Sequence, residues 1–162
     1  MLFLEALWFF LPILAANQCP GFAAYLHLPG AHAPVIRRWL GENKTIAAYY
    51  AAPLGSLGVI YAQRQMTEWS SAFGLFDYNR SDLWLVGLLL GLGAVLGDHI
   101  KSFIKRRVGI PPGAHWWPFD QLDYVFGALL LTFPIVGWRG WDVYGILILV
   151  ALVGHPIVNG IG

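Results

Sequence analysis

Five apolar segments alternate with polar stretches along the chain, and each is a candidate membrane-spanning helix. They cover residues 2–16, 45–63, 83–97, 124–138 and 143–162. A helix needs about 20 apolar residues to cross a bilayer, within a range of about 17–25. The third and fourth segments therefore need flanking residues to complete a span. We predict an all-α integral membrane protein with five transmembrane helices.

The composition agrees with a membrane protein. The chain has 162 residues, of which 57% are hydrophobic and 12% charged, and its mean hydropathy is +0.59. A soluble domain carries about 25% charged residues. No Lys or Arg precedes the first apolar segment, which favours a retained span over a cleaved signal peptide. We expect one polytopic membrane domain over residues 1–162, and its single cysteine, Cys19, excludes an internal disulfide.

The positions of Lys and Arg predict the orientation in the membrane. Seven of them fall in the loops after the first and third spans: Arg37, Arg38, Lys44, Lys101, Lys105, Arg106 and Arg107. Three fall in the other two loops: Arg64, Arg80 and Arg139. Because positive loops remain in the cytoplasm, we expect a multi-pass protein of the cell membrane with its N-terminus outside. The net charge of +1 gives no electrostatic reason to expect a nucleic-acid partner.

Two small-residue motifs lie in the third span. Gly87 and Gly91 form one Gly-x-x-x-Gly pair, and Gly93 and Gly97 form another. Glycines at this spacing let helices approach closely in lipid. Packing between helices of the same chain is the first interpretation, and the motifs would also permit a homodimer.

Charged side chains collect between the third and fourth spans, in residues 97–123. If a helix continues to residue 108, then its shared face carries Asp98, Lys101, Ser102 and Lys105, at positions i, i+3, i+4 and i+7. An acid, a hydroxyl and two ammonium groups on one face could cradle a metal-bound polyphosphate. A basic helix lying on anionic lipid would explain Lys105 and the arginines after it. It would not explain Asp98, directly behind an apolar span.

Two further carboxylates follow a loop rich in Gly and Pro, residues 109–118. Asp120 and Asp123 are spaced i and i+3 at the start of the fourth span, so both would point into the mouth of the helix bundle. Capping of the helix is an alternative role for Asp120. Asp123 is deeper, where an ionised group is a candidate for function. Paired oxygen ligands suit Mg²⁺ held together with substrate phosphates.

These motifs resemble those of CDP-archaeol synthases, in the CTP:phosphatidate cytidylyltransferase superfamily. The superfamily signature is Ser-x-x-Lys-Arg, a spacer and a terminal Asp-Arg-x-Asp. This chain matches it with Ser102, Lys105, Arg106, Asp120 and Asp123, and has Gln121 in place of the second Arg. Gly41-Glu-Asn-Lys44-Thr45 is similar to the family's Lys-Thr motif, and His155-Pro-Ile-Val-Asn159 to its C-terminal His-x-x-x-Asn. The likeness extends over most of the chain.

The resemblance implies a reaction and a set of roles. A lipid phosphate attacks the α-phosphorus of CTP, pyrophosphate leaves and a CDP-lipid forms, at a polar site between spans three and four that faces the cytoplasm. The resemblance assigns catalytic roles to Lys101, Ser102, Lys105, Arg106, Asp120 and Asp123. It assigns Mg²⁺ to Asp98, Asp120 and Asp123. It assigns substrate binding to Lys44, Thr45, Arg107, His155 and Asn159. His115, in the Gly/Pro loop, is a further candidate for contact with a substrate phosphate.

Several roles have alternatives at this stage. His115, beside two tryptophans, could simply anchor its loop, and helix packing is as good an interpretation as substrate binding for His155 and Asn159. His27, His32 and His99 have no partners at metal spacing and are interpreted as surface or interface residues. A CDP-alcohol phosphotransferase or a lipid phosphatase would need motifs that this sequence lacks. A non-catalytic relative that binds lipid or serves a partner remains the other functional alternative.

Overall fold

The computed structural model describes residues 2–69 and 77–160, and the side chains of 67–69 and 155–160 lie outside the description. It contains five long helices and one short one: α1 (Leu2–Tyr25), α2 (Arg37–Leu40), α3 (Ala48–Trp69), α4 (Leu83–Arg107), α5 (Phe119–Val136) and α6 (Trp141–Gly160). One isolated antiparallel bridge joins Pro34 to Thr45 between α1 and α3. The prediction of an all-α protein is confirmed.

Within the described ranges, three helices are long and apolar enough to cross a membrane. These are α1, α4 and α5, and residues 141–154 of α6 form a shorter apolar stretch. The second predicted span corresponds to α3, which also carries polar residues near its end. Gln63 is 2% exposed, and its Nε2 donates to the Trp8 backbone oxygen over 2.6 Å. Burial against α1 is what makes a polar residue tolerable there.

Besides α4, which continues to Arg107, α1 and α5 extend well beyond the apolar segments that predicted them. α1 continues from residue 16 to Tyr25, and its last turns pack Ala23 against Ala31, Ala47 and Ala51. α5 begins at Phe119, five residues before the apolar segment at 124. Asp120 and Asp123 lie in its first turns, as their predicted position at the start of the fourth span requires, and both contact Lys101.

Close approach between α4 and its neighbours fixes the architecture. A Cβ on Gly97 would overlap the backbone oxygen of Asp123, and one on Gly127 would overlap the backbone oxygen of Gly93. On the other side of α4, a Cβ on Gly91 would overlap the backbone of Pro53 in α3. The glycine motifs of α4 therefore pack against α5 and α3 within the chain. A homodimer would need a different surface.

Candidate active site

A polar cavity of 260 Å³ opens where one end of each of α1, α4 and α5 meets two loops. The prediction that α4 continues beyond the apolar run is confirmed, since the helix ends at Arg107. Its last three turns bring Asp98, Lys101, Ser102 and Lys105 to the cavity wall, as their spacing predicted. Asp120 and Asp123 face them from the start of α5. The contact between Gly97 and the Asp123 backbone holds these two sets of side chains together.

The ammonium of Lys101 is the centre of the charge network. Its Nζ lies 2.8 Å from Asp120 Oδ1, 2.8 Å from Asp123 Oδ2 and 3.3 Å from Asp98 Oδ1. The Lys101 side chain is 13% exposed and that of Asp123 is 5% exposed. Removal of either partner would leave a poorly solvated charge, which is strongly destabilising.

Two more lysines complete the network from opposite sides. Lys44, in the loop before α3, donates to Asp98 Oδ1 over 2.7 Å. Lys105 donates to both carboxylate oxygens of Asp120 at 3.0 Å. Asp120 also accepts from the Trp116 backbone N–H. Asp120 thus closes the Gly/Pro loop onto α5 as well as binding two lysines, whereas the N-cap position of α5 is Pro118 and no side chain caps it, so the capping alternative is wrong.

Positive and negative groups balance across the cavity wall. Four cationic residues line it, namely Lys44, Lys101, Lys105 and Arg106, and four acidic residues oppose them, namely Glu42, Asp98, Asp120 and Asp123. The wall therefore has no excess positive charge with which to hold a multiply charged anion. A triphosphate would have to displace carboxylates from lysines or bring a cation with it.

Arg106 differs from the lysines because part of its guanidinium has no carboxylate partner. Its Nε and Nη1 are buried, and no hydrogen-bond acceptor among the described residues reaches them. Buried donors are normally paired, so such a group at a cavity wall is suited to receive a ligand oxygen. Ser102, 4% exposed, lines the cavity one turn before it.

The other sequence-predicted residues divide into three groups. Lys44 and His115 line the cavity. Thr45 and Arg107 do not: Thr45 pairs with Pro34, and exposed Arg107 places its guanidinium carbon 5.0 Å from the Phe103 ring centroid. The side chains of His155 and Asn159 lie outside the described residues.

The sequence analysis missed three polar residues of the cavity wall. Asn17 comes from α1, and Glu42 and Asn43 precede Lys44 in the loop before α3. Glu42 and Asn43 stand beside Lys44, which the motifs did mark, whereas Asn17 lies within α1 and has no distinctive spacing. Only the assembled fold brings Asn17 to the same wall as Asp98.

The arrangement of the carboxylates suits a hard cation that shares its ligands with a substrate. No group of three or more His, Cys, Asp or Glu side chains poised to hold a metal occurs in the part of the chain that is described. Instead, Lys101 occupies the point on which Asp98, Asp120 and Asp123 converge. Mg²⁺ is commonly held by one or two carboxylates together with phosphates. The all-oxygen donor set therefore fits Mg²⁺ with bound phosphate better than a closed protein cage.

An apolar groove of 430 Å³ runs between α4 and α5 and meets the polar cavity. Lys101 and Asp123 line both spaces. The remaining wall is apolar and includes Ile104, Leu122 and Phe126. A second apolar groove, of 370 Å³, lies between α5 and α6 and shares Phe126 and Leu130 with the first. One charged pair thus separates an ionic cavity from a lipid-facing surface.

Comparisons with known proteins agree with this arrangement. The family described as CarS-like CDP-archaeol synthase matches residues 1–162. The CDP-archaeol synthase of Methanopyrus kandleri is 34% identical over 98% of this chain and 87% of its own length. That of Methanospirillum hungatei is 37% identical over 76% of this chain and 72% of its own.

A solved structure has the same fold. It is described as an intramembrane enzyme for archaeal membrane lipid biosynthesis, and its TM-score against this chain is 0.77 at 26% identity. The match covers 96% of this chain and 93% of that one. With the family model matching from the first residue to the last, the chain belongs to the CDP-archaeol synthase family, whose members are cytidylyltransferases.

Proposed function

We propose that this protein is a Mg²⁺-dependent CTP:lipid-phosphate cytidylyltransferase that forms a CDP-lipid, CDP-archaeol or a close analogue, and pyrophosphate. One observation carries the proposal: Lys101 and Asp123 line both the polar cavity and the apolar groove. A water-soluble nucleotide and a membrane lipid can therefore meet at a single point. Family membership supplies the reaction class.

The lipid chains would occupy the apolar grooves along α5. The first groove begins at Lys101 and Asp123, so a chain lying in it would place its phosphate head at the charged network. Phe126 and Leu130 connect it to the second groove, which gives an extended apolar surface for long or paired chains. Burial of apolar chains is worth roughly 25 cal/mol for each Å² removed from water.

The phosphates of both substrates would be held by the cationic side of the cavity. Arg106 offers two buried donors with no protein acceptor among the described residues, which suits a phosphate oxygen. Lys101 and Lys105 would exchange part of their carboxylate contacts for phosphate contacts as the substrates enter. Ser102 can donate its hydroxyl to a phosphate oxygen from the same helix face.

The chemical step needs positioning and charge neutralisation more than it needs a base. The attacking oxygen of the lipid phosphate is already anionic. A new P–O bond forms at the α-phosphorus, the bond to the bridging oxygen between the α- and β-phosphates breaks, and the electron pair leaves with pyrophosphate. Lys101, at the junction, is placed to orient the attacking phosphate, while Lys105 and Arg106 stabilise charge on the leaving group.

Mg²⁺ would be held by Asp120 and Asp123, with Asp98 as a further oxygen donor, and would neutralise charge on the bound phosphates. The balanced charges of the cavity wall support this proposal, because four lysine or arginine residues already face four acids. A triphosphate adds several negative charges that the wall alone does not offset.

Release of pyrophosphate by the purified protein in detergent tests the proposed function. The lipid would be an unsaturated archaeol-type phosphate in one arm and phosphatidic acid in the other, each with CTP and Mg²⁺. We expect release with one of these lipids, none without lipid and none when ATP replaces CTP. No release with either lipid from folded protein would favour the alternative, a non-catalytic relative that binds lipid or serves a partner.

We further propose five membrane spans, an external N-terminus and a cytoplasmic site. The loop between α1 and α3 and the end of α4 hold seven of the ten Lys and Arg residues, on the side where the cavity opens. Single cysteines introduced into a Cys19→Ser background report the orientation. In this background, Gly113→Cys should react with a membrane-impermeant thiol reagent in inverted vesicles, which expose the cytoplasmic side. It should not react in vesicles of the native orientation. Reaction from the external side would refute the assignment.

A further inference from the structure

Two exposed histidines meet in the loop after α1. The ring centroids of His27 and His32 are 5.4 Å apart, and the ring planes are inclined at 56°. Neither residue lines the polar cavity or the apolar grooves. They lie five positions apart in the sequence, a spacing that puts two side chains on one face of neither a helix nor a strand. The pair therefore arises from the path of the loop, and the proposed cytidylyltransferase reaction does not use it.

His27 stands at a position where glycine is the usual residue. Its N–H donates to the Ala24 backbone oxygen over 3.1 Å, and the N–H of Leu28 donates to the Ala23 oxygen over 3.0 Å. These two bonds end α1 in a Schellman motif, which places left-handed backbone at the residue that His27 occupies. Its φ is +54°. Because glycine adopts this conformation without a steric penalty, the end of the helix does not by itself account for an imidazole here.

A backbone contact fixes the tautomer of the His27 ring. Its Nδ1 lies 3.0 Å from the Tyr25 backbone oxygen. A carbonyl oxygen can only accept, so Nδ1 donates and Nε2 of the neutral ring carries the lone pair. Histidines that bind metals almost always donate their second ring N–H to a carbonyl or a carboxylate, which orients the ring. His27 thus has the outer contact that is typical of a metal ligand.

The loop between the two histidines is held in place by the helices around it. The hydroxyl of Tyr50, in α3, donates to the Pro29 backbone oxygen over 2.7 Å. The N–H of Ala31 donates to the Leu28 oxygen over 3.0 Å. The Ala31 side chain is 2% exposed and belongs to an apolar cluster with residues of α1 and α3. The short separation of the rings is therefore built into the fold, so a ligand would not have to order the loop first.

We propose that His27 and His32 bind a transition-metal ion such as Zn²⁺, with Nε2 of His27 and a ring nitrogen of His32 as ligands. Two imidazoles on one tetrahedral ion have ring centroids about 5 Å apart, because each metal–nitrogen bond is about 2.0 Å and the ring centre lies about 1.1 Å beyond the nitrogen. The observed separation is close to this value. Imidazole suits Zn²⁺, Cu²⁺ and Ni²⁺, whereas Mg²⁺ prefers oxygen ligands. No group of three or more metal-binding side chains occurs among the described residues, so water would complete the coordination.

The segment after the pair leads to the polar cavity. Three residues beyond His32, the N–H of Val35 donates to the Lys44 backbone oxygen over 2.8 Å. The side chain of Lys44 lines the polar cavity. A metal ion on the histidine pair would therefore join the end of α1 to the segment that contacts Lys44. Because the ion would bind the folded loop and not the unfolded chain, it should raise the stability of the protein.

Thermal unfolding of protein purified without a polyhistidine tag tests the proposal. Excess Mg²⁺ is present throughout to compete for carboxylate sites. We expect Zn²⁺ to raise the Tm of the unaltered protein by an amount that grows with the logarithm of its concentration. Without Zn²⁺, His27→Gly should be at least as stable as the unaltered protein, since glycine suits the left-handed position. The same variant should show no shift with Zn²⁺. A shift as large as that of the unaltered protein would overturn the proposal.

Equilibrium dialysis measures the affinity for Zn²⁺ directly. His32→Asn, at an exposed position, should raise the Kd at least about tenfold, because loss of even an outer-shell partner of a metal ligand has that effect. The double variant His27→Gly/His32→Asn should bind no more weakly than either single variant, since one imidazole cannot chelate. His115→Asn removes an exposed histidine outside the pair and should keep the Kd of the unaltered protein. Equal Kd values in His32→Asn and the unaltered protein, or an equal loss in His115→Asn, would refute the site.

Discussion

The Nζ of Lys101 lies 2.8 Å from the Oδ2 of Asp123, and this pair joins α4 to α5 at the boundary between the polar cavity and the apolar groove. Both side chains have little exposure to solvent. The pair belongs to a wider network, because the same ammonium also contacts Asp98 and Asp120. Its position makes it a bond between two helices and, in the proposed function, the point at which the two substrates would meet.

Loss of the central ammonium should destabilise the fold and abolish activity. Lys101→Met keeps the length of the side chain but leaves three carboxylates around an uncharged centre. We expect a cost of about 3–5 kcal/mol, because an unpaired charge would be left in a poorly solvated place. Thermal unfolding in detergent measures the loss. The double variant Lys101→Met/Asp123→Asn should recover part of the stability but none of the activity, whereas equal stability of the two variants would contradict the account.

Thermal stability and activity should depend on the close packing between α4 and α5 as strongly as on the charged network. Gly97→Ala places a methyl group against the Asp123 backbone oxygen. The two helices can accommodate this methyl group only by moving apart. We expect lower thermal stability and loss of most activity. Gly58→Ala is the matched control, because beyond the adjacent residues and the backbone of its own helix no atom lies within 4 Å of the added methyl group. It should be neutral or stabilising by up to about 1 kcal/mol. Equal behaviour of the two variants would refute the role of close packing.

Arg106 should contribute to binding rather than to stability. Because its Nε and Nη1 have no acceptor within the described structure, Arg106→Gln should leave thermal unfolding nearly unchanged. The KM for CTP or for the lipid phosphate should rise about 10- to 100-fold through loss of a charge-assisted contact. Exposed Arg38, in α2, gives the control variant Arg38→Gln, which should keep both KM values. Unchanged kinetics in Arg106→Gln would remove this residue from the site.

The apolar grooves predict a chain-length effect. Leu130 lines both grooves and is 76% exposed, so Leu130→Trp should obstruct them without disturbing the core. We expect a higher KM for a long-chain lipid phosphate and an unchanged KM for CTP and for a short-chain lipid analogue. Leu85→Trp is the control on α4, at a position 46% exposed that lines neither groove. Equal effects on long and short chains would place the lipid elsewhere.

Much of this architecture follows from local patterns in the sequence. Apolar runs located the five long helices, and helical spacing placed Asp98, Lys101, Ser102 and Lys105 on one wall. These are interactions over a few residues, which a sequence displays directly. The predicted position of Asp120 and Asp123 at the start of the fourth span is confirmed, because α5 begins at Phe119 and both side chains line the charged cavity.

The sequence pattern could not predict contacts between residues that are far apart along the chain. Lys44 and Asp98 are separated by 54 positions and meet only through the packing of α3 against α4. Asn17 and Asn43 also reach the cavity only through the packing of the helices. Neither residue has a distinctive spacing in the sequence. The sequence interprets His99 as a surface or interface residue, whereas its side chain is 6% exposed and its Nδ1 lies 2.6 Å from the Val95 backbone oxygen of the same helix.

Transfer of label from CTP to lipid is the most direct test of the central claim. CTP labelled at the α-phosphate would be supplied with an archaeol-type phosphate, in the presence and absence of Mg²⁺, to the unaltered protein, Asp123→Asn and Asp142→Asn. Asp142, at the start of α6, lines neither the cavity nor the grooves and provides the matched control. The account predicts Mg²⁺-dependent labelling of lipid by the unaltered protein and Asp142→Asn, and a loss of at least about 100-fold in Asp123→Asn. Full labelling by Asp123→Asn, or labelling that does not require a divalent cation, would contradict it.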